Sequence, residues 1–308
     1  MDFGQTLDPA QLEQIRFRLP DPDSTEERAQ LERLSRASSR APSRAGGTCQ
    51  IRVGAPIWNH APWVGTFYPP EAASSDYLKE YSAQLGAVEM NSTFYAIPAA
   101  ETFQKWRASV SEGFRFCPKF PKSVSHSLNP EHPDLKIFSE RVSLLEDRLG
   151  VCFLQFPSHV GPEQKTRLQA LFAKLPRELK TMVEFRNPAF FRDQRLKPEW
   201  VDDLARFYLG TVSVDTPLER DVAHTSLSST RVLVRFLGAN LHESNAIRFQ
   251  QWAERIALWA KHGIREVYFM IHEPDNTYTP LSVKAFIETL NPLLPAPVKM
   301  PVFHDLFG

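Results

Sequence analysis

From residue 51 to the C-terminal region the chain repeats one design: a short apolar run that ends in a charged or amide residue, then a segment with helical spacing. Eight runs fit it, at 51–57, 87–92, 114–120, 150–156, 182–186, 211–215, 232–237 and 267–272. Between them, apolar residues recur three and four apart: Tyr77, Leu78, Tyr81 and Leu85; Phe103, Trp106 and Val110; Phe138, Val142, Leu145 and Leu149; Trp252, Ile256 and Trp259; Val283, Phe286 and Leu290. That spacing predicts helices over 76–85, 100–110, 137–149, 164–175, 198–208, 249–262 and 281–290, with 217–229 the weakest. Strands joined by helical crossovers run parallel, and eight such strands close a single (β/α)8 TIM-type barrel. The first turn has no GxGxxG of the kind that an open dinucleotide-binding sheet carries.

Residues 87–95, Ala-Val-Glu-Met-Asn-Ser-Thr-Phe-Tyr, show where chemistry would sit. Successive strand side chains alternate between faces. Val88 and Met90 share one parity, Glu89 and Asn91 the other, so both polar groups face the same way. In a barrel of this type the active site forms at the C-terminal ends of the strands. Those ends read Trp58; Glu89 and Asn91; Lys119; Gln155; Glu184 and Arg186; Asp215; Arg235; and His272, with His126 just past the third run.

Residues 1–48 are read as an extension and linker, and residues 49–308 as the barrel. Two short helices are expected, at 9–19 and 23–36, the second capped by Asp23 or Ser24. Residues 35–47 are rich in Ser, Ala, Arg, Pro and Gly and read as a linker. The extension is expected either loose or packed on the barrel or on a second copy. Lys+Arg and Asp+Glu are both 36, so global charge gives no case for nucleic acid or an anionic membrane surface. No apolar run reaches membrane-span length and no secretory signal is visible. Cys49, Cys117 and Cys152 are widely spaced, and the latter two sit in apolar runs as small hydrophobes, which points to a reduced, cytoplasmic protein.

At this point the residues identify a resemblance. VGAPIW (53–58), WVGTFYP (63–69), YLKEYSAQLGAVEMNSTFYAIP (77–98), KW (105–106) and GFRFCPKFP (113–121) resemble the DUF72 (YecE-like) family. So do SH (125–126), LG-x4-QFP (149–157), VEFRNPAFF (183–191) and VRFLG (234–238). The resemblance implies a TIM-type barrel and a site map, and no settled reaction. It carries over Glu89, Asn91, Lys119, Gln155, Glu184, Arg186 and Arg235. The chain departs from the pattern at Ala55 and Pro56, at Asn187 with Phe190 or Phe191, at Leu237, and in the turn from His272 to Asn276. It therefore resembles a divergent member whose charged core is kept and whose polar rim has changed.

Two carboxylates, Glu89 and Glu184, with three cations, Lys119, Arg186 and Arg235, come close to charge balance. They suit a small anionic ligand, phosphorylated or carboxylated: arginines bind such groups at two points. Glu89 with Glu184 would then supply acid–base chemistry for hydrolysis or isomerisation, Lys119 assisting and Asn91 and Gln155 orienting hydroxyls. His126 and His272 are candidate proton carriers or ligand contacts. Trp58, Trp63, Phe67, Tyr68, Phe94 and Tyr95 would line a stacking wall or plug the rim. No cofactor and no resident metal are expected, since there is no HxH pair and the cations would repel a metal. Three alternatives stay open: a structural ion network, a metal-dependent phosphodiesterase on nucleic acid, and a non-catalytic ligand-binding module. The sequence does not specify the oligomeric state.

Overall fold

The structure is a computed structural model that describes residues 8–40 and 48–304. Its eight barrel strands are β1 (Gln50–Ala55), β2 (Ala87–Met90), β3 (Arg115–Pro118), β4 (Phe153–Gln155), β5 (Met182–Glu184), β6 (Gly210–Asp215), β7 (Arg231–Leu237) and β8 (Glu266–His272). Every neighbouring pair is parallel, from β3 through β2, β1, β8, β7, β6 and β5 to β4. Bridges from Phe116 to Leu149 and from Lys119 to Phe153 bring β3 against β4 and complete a (β/α)8 TIM-type barrel. Gly54 lets β1 and β2 approach: a Cβ there would lie 2.0 Å from the carbonyl oxygen of Ala87.

Seven of the expected helices form, including Tyr77–Gln84, Ala100–Ser109, Lys165–Lys174, Pro198–Arg206 and Thr279–Leu290. Two start earlier than expected, Pro133–Ser143 and Glu243–Lys261, because a histidine caps each: the ring nitrogens of His132 and His242 accept from Asp134 and Ser244 N–H. The weak helix over 217–229 does not form; only a 3-10 turn, Arg220–Val222, is present. Its polar side chains bind elsewhere instead. Thr225 Oγ1 donates to Glu27 and Ser228 Oγ to the Leu209 carbonyl, while the Ser226 carbonyl accepts from Thr211 Oγ1. Such bonds compete with a helical ladder. An unforeseen hairpin, Phe191–Arg192 with Arg195–Leu196, turns on Asp193 and Gln194, both at positive φ.

The N-terminal helices α1 (Pro9–Glu13) and α2 (Thr25–Arg40) are docked rather than loose. Ser24 Oγ accepts from Glu27 N–H at the start of α2. The Glu27 carboxylate is buried and accepts from Arg255 (2.9 and 3.1 Å), Trp259 Nε1 (3.0 Å) and Thr225 Oγ1 (2.9 Å). Leu31 and Leu34 join the outer core between strands and helices. The linker expected over 35–47 is helical to Arg40; residues 41–47 lie outside the described residues. Among the described residues no helix is long and apolar enough to cross a membrane.

The barrel interior is a separate apolar plug. Ala87, Cys117, Val151, Phe153, Met182, Val212, Val214, Leu233, Tyr268 and Met270 form it, one or two inward positions from every strand but β1. Cys117 and Cys152 are buried free thiols, and burial pushes Cys117 up to about 12. Each end of the plug carries a layer of charge.

Candidate functional site at the C-terminal mouth

Two residues beyond the plug on six of the strands, the inward positions turn polar. Glu89, Lys119, Gln155, Glu184, Arg235 and His272 follow Ala87, Cys117, Phe153, Met182, Leu233 and Met270, and Arg186 follows Glu184. Arg235 is the hub. Its Nε and Nη2 donate to the two oxygens of Glu89 (2.9 and 2.8 Å), and its Nη1 donates to Glu184 (2.8 Å) and more distantly to Gln155 Oε1 (3.3 Å). Arg186 Nε reaches the other Glu184 oxygen at 2.6 Å, and its Nη2 reaches Gln155 Oε1 at 2.9 Å. Asn91 Nδ2 donates to Glu89 (2.9 Å), and His272 Nε2 lies 3.1 Å from the same carboxylate. Asn91 stands at the cap of the turn Ser92–Tyr95, yet its side chain serves Glu89 and not the turn.

Burial raises the carboxyl pKa of Glu89, but Arg235 and His272 more than offset it and hold the group well below the carboxylate range. Glu184 follows the same logic: burial raises, Arg235, Arg186 and Lys119 lower, and the result is a depressed value. Both side chains are 0% exposed and Arg235 is 1% exposed. The guanidinium expected to clamp a ligand is thus engaged with the two carboxylates, and the carboxylates expected to move protons are held ionised.

Lys119 is different. Its ammonium lies 4.1 Å from the centre of the Phe94 ring and 5.9 Å from that of Phe153. Burial, then Arg235, brings its pKa down to about 8. The backbone fixes it: Lys119 N–H donates to the Met90 carbonyl and its own carbonyl accepts from Thr93 Oγ1. Phe94 also meets His126, ring centres 5.7 Å apart, with His159 a further 6.3 Å on. Burial, Lys122, His159 and Lys119 all lower the pKa of His126. The mouth above β3 and β4 therefore gathers Lys119 and Lys122 with two histidines, of which His126 is held towards its neutral form. Phe94 was expected among the rim aromatics, whereas Lys122 and His159 were not among the site residues expected from sequence. His159 follows β4 in the same way that His126 follows β3, which was the available signal.

Two expected site residues are not brought in. Asp215 has the opposite parity to Val214, which is in the plug, so it points outward between β6 and the helix Glu243–Lys261. There it meets Arg248 (3.1 Å), Trp252 Nε1 (2.7 Å) and Arg220. Ser213 and Asp215 share the outer face, since Val212 and Val214 lie in the plug. Trp58 is half-buried, edge-on to Trp106 at 5.7 Å, with its carbonyl accepting from Tyr68. Trp63, Phe67 and Tyr68 are packed inside and Tyr95 is exposed, so the aromatics mostly plug the rim. Among the described residues no three His, Cys, Asp or Glu side chains converge as a metal ion would need.

The fold and the charged mouth define a single-barrel protein of the (β/α)8 class. The chain belongs to the family described as "Protein of unknown function DUF72", whose model matches residues 52–301. It is 31% identical over 265 residues to the UPF0759 protein YecE of Escherichia coli K12, covering 80% of this chain and 94% of that one. It is 27% identical over 187 residues to the UPF0759 protein YunF of Bacillus subtilis, covering 57% and 66%. Crystal structures of DUF72 family proteins from Enterococcus faecalis and Thermotoga maritima superpose with TM-scores of 0.65 and 0.61. They cover 79% and 78% of this chain and 96% and 99% of their own, at 21% and 22% identity, and share the fold.

Proposed function

We propose that the C-terminal mouth binds a small anionic ligand, one bearing a phosphate or carboxylate, with Lys119 as its principal charge contact. The observation that supports this is the division of labour among the cations. The ion pairs of the mouth are Arg186–Glu184, Arg235–Glu89, Arg235–Glu184 and His272–Glu89, and Lys119 has no carboxylate within ion-pair distance among the described residues. Lys122, His126 and His159 stand on its side of the mouth. Arg235 and Arg186 hold the floor rigid rather than clamping the ligand. In hydrolysis or isomerisation Lys119, with its pKa near 8, would move the proton, and Glu89 and Glu184 would stabilise positive charge.

The saturation of Glu89 and Glu184 favours a second reading, a ligand-binding module without turnover. A metal-dependent phosphodiesterase has no comparable observation in its favour. The test is native mass spectrometry of gently purified protein, with citrate added as a probe if nothing co-purifies. The expected result is a stoichiometric adduct that Lys119→Met abolishes and Lys119→Arg retains. An adduct indifferent to Lys119→Met sinks the reading. Turnover of the released ligand, or its absence, then separates enzyme from binding module.

A further inference from the structure

The opposite end of the barrel carries a second charged layer that the mouth does not use. Arg115, Lys180, Arg231 and Glu266 each lie two residues before a plug residue, namely Cys117, Met182, Leu233 and Tyr268. Arg52 on β1 completes the layer, its guanidinium carbon 5.7 Å from the centre of the Tyr268 ring. Four cations thus surround one carboxylate in the layer, with Asp147 acting on Arg115 from outside it. Glu266 is already committed, accepting from Arg231 Nε (2.9 Å) and from the Tyr268 hydroxyl (2.7 Å). Arg115 Nη1 donates to the Glu112 and Phe114 carbonyls, which carry no full charge. Among the described residues, Arg52, Arg115 and Lys180 have no carboxylate within ion-pair distance, and Arg52 Nη1 is buried with no acceptor in reach.

We infer that this N-terminal end of the barrel is an oxyanion site for a phosphate-class group, held by Arg52, Arg115, Lys180 and Arg231. An excess of three positive charges in a half-buried ring is a standing repulsion that an anion relieves. Guanidinium groups present planar, two-point donors suited to phosphate oxygens, and the lysine adds a point charge. The ring is half-buried rather than sealed, so a small solute can reach it. Lys180 adopts a left-handed backbone (φ 49°), a conformation that favours glycine or asparagine over lysine. Strain of this kind persists where a side chain is needed in place. Burial, together with Arg231, Arg115 and Arg52, depresses the Lys180 amine despite the pull of Glu266.

The proposal is independent of the ligand reading at the mouth, and the test separates the two. Binding of inorganic phosphate, of glycerol phosphate as a monoester, and of chloride as a control would be followed by 31P line broadening and by thermal shift. Three proteins suffice: the natural chain, Lys180→Met and Lys119→Met. The expected result is a saturable phosphate site that persists in Lys119→Met, where the mouth has lost its principal charge contact, and that Lys180→Met weakens at least tenfold. In the absence of phosphate, Lys180→Met should melt higher than the natural chain, because one repelling charge is gone while the backbone strain stays. Tighter binding of glycerol phosphate than of phosphate identifies a monoester as the occupant, and the reverse identifies the free ion. Phosphate binding abolished by Lys119→Met and untouched by Lys180→Met overturns the proposal, as does a stabilisation that chloride reproduces.

Discussion

At one end of the barrel two carboxylates, two arginines and a lysine share the interior, while at the other four cations share one carboxylate. The apolar plug between them is the same for both, and the two layers flank it within one barrel. The mouth has nearly closed its account: Arg235 is fully buried with both glutamates on it, and what remains is the lone amine of Lys119. The N-terminal ring is left open, half-exposed and unbalanced. Buried charge that is paired holds a shape, whereas charge left unpaired at a rim can be met by a ligand. The two ends differ in which of these dominates.

Removing the hub tests the comparison most severely. Arg235→Met would strand Glu89 and Glu184 in the interior, and breaking a buried ion network in this way costs about 3–5 kcal/mol. Urea denaturation should register that loss at neutral pH; a cost under about 1 kcal/mol would mean that the mouth is not closed by pairing. Next in size is Lys119→Met. A fall from 10.5 to about 8 corresponds to on the order of 3 kcal/mol held against the charged amine, partly offset by its contact with Phe94. The sign follows from the depressed base: the cost is full below pH 8 and vanishes as pH rises to 10.5. The variant should therefore be more stable than the natural chain at pH 7 and gain nothing at pH 10.5.

Acid provides a third, smaller and more distributed probe. Glu89 and Glu184 are depressed in the fold, so their contribution is present above the unfolded carboxylate pKa, about 4.3, and is lost as pH falls towards the folded values. Stability measured from pH 6 down to pH 3 should drop in the natural chain, and that slope should shrink when Arg235 is replaced. Smallest of all is Arg231→Met at the open end. Its pair with Glu266 is partly solvated, with the arginine side chain 34% exposed, and such pairs are worth about 0–1 kcal/mol. A loss as large as that of Arg235→Met would erase the distinction between the ends.

Much of this was written in local pattern. The alternation of apolar runs and helical segments was enough for eight parallel strands, and parity at Glu89 and Asn91 placed them together. Parity without a reference face was not enough for Asp215: an even or odd position is inner or outer only once a neighbour such as Val214 is known to lie in the plug. The stretch 217–229 misled because its serines and threonines bind strand carbonyls and a distant glutamate, which no local window contains. The N-terminal ring was missed for a simpler reason. Arg52, Arg115 and Arg231 open or sit near the start of their strands, where charges read as ordinary ends rather than as one layer.

The docking of α2 has a consequence for the order in which the molecule is made. Glu27 finds Thr225, Arg255 and Trp259 at separations of 198, 228 and 232 residues. At roughly 5–20 residues per second of synthesis, the ribosome delivers those partners on the order of ten to forty seconds later. Until then the carboxylate stays in water and Leu31 and Leu34 have no complete surface to cover. A helix made well before the barrel is complete must wait for partners made 198 to 232 residues later.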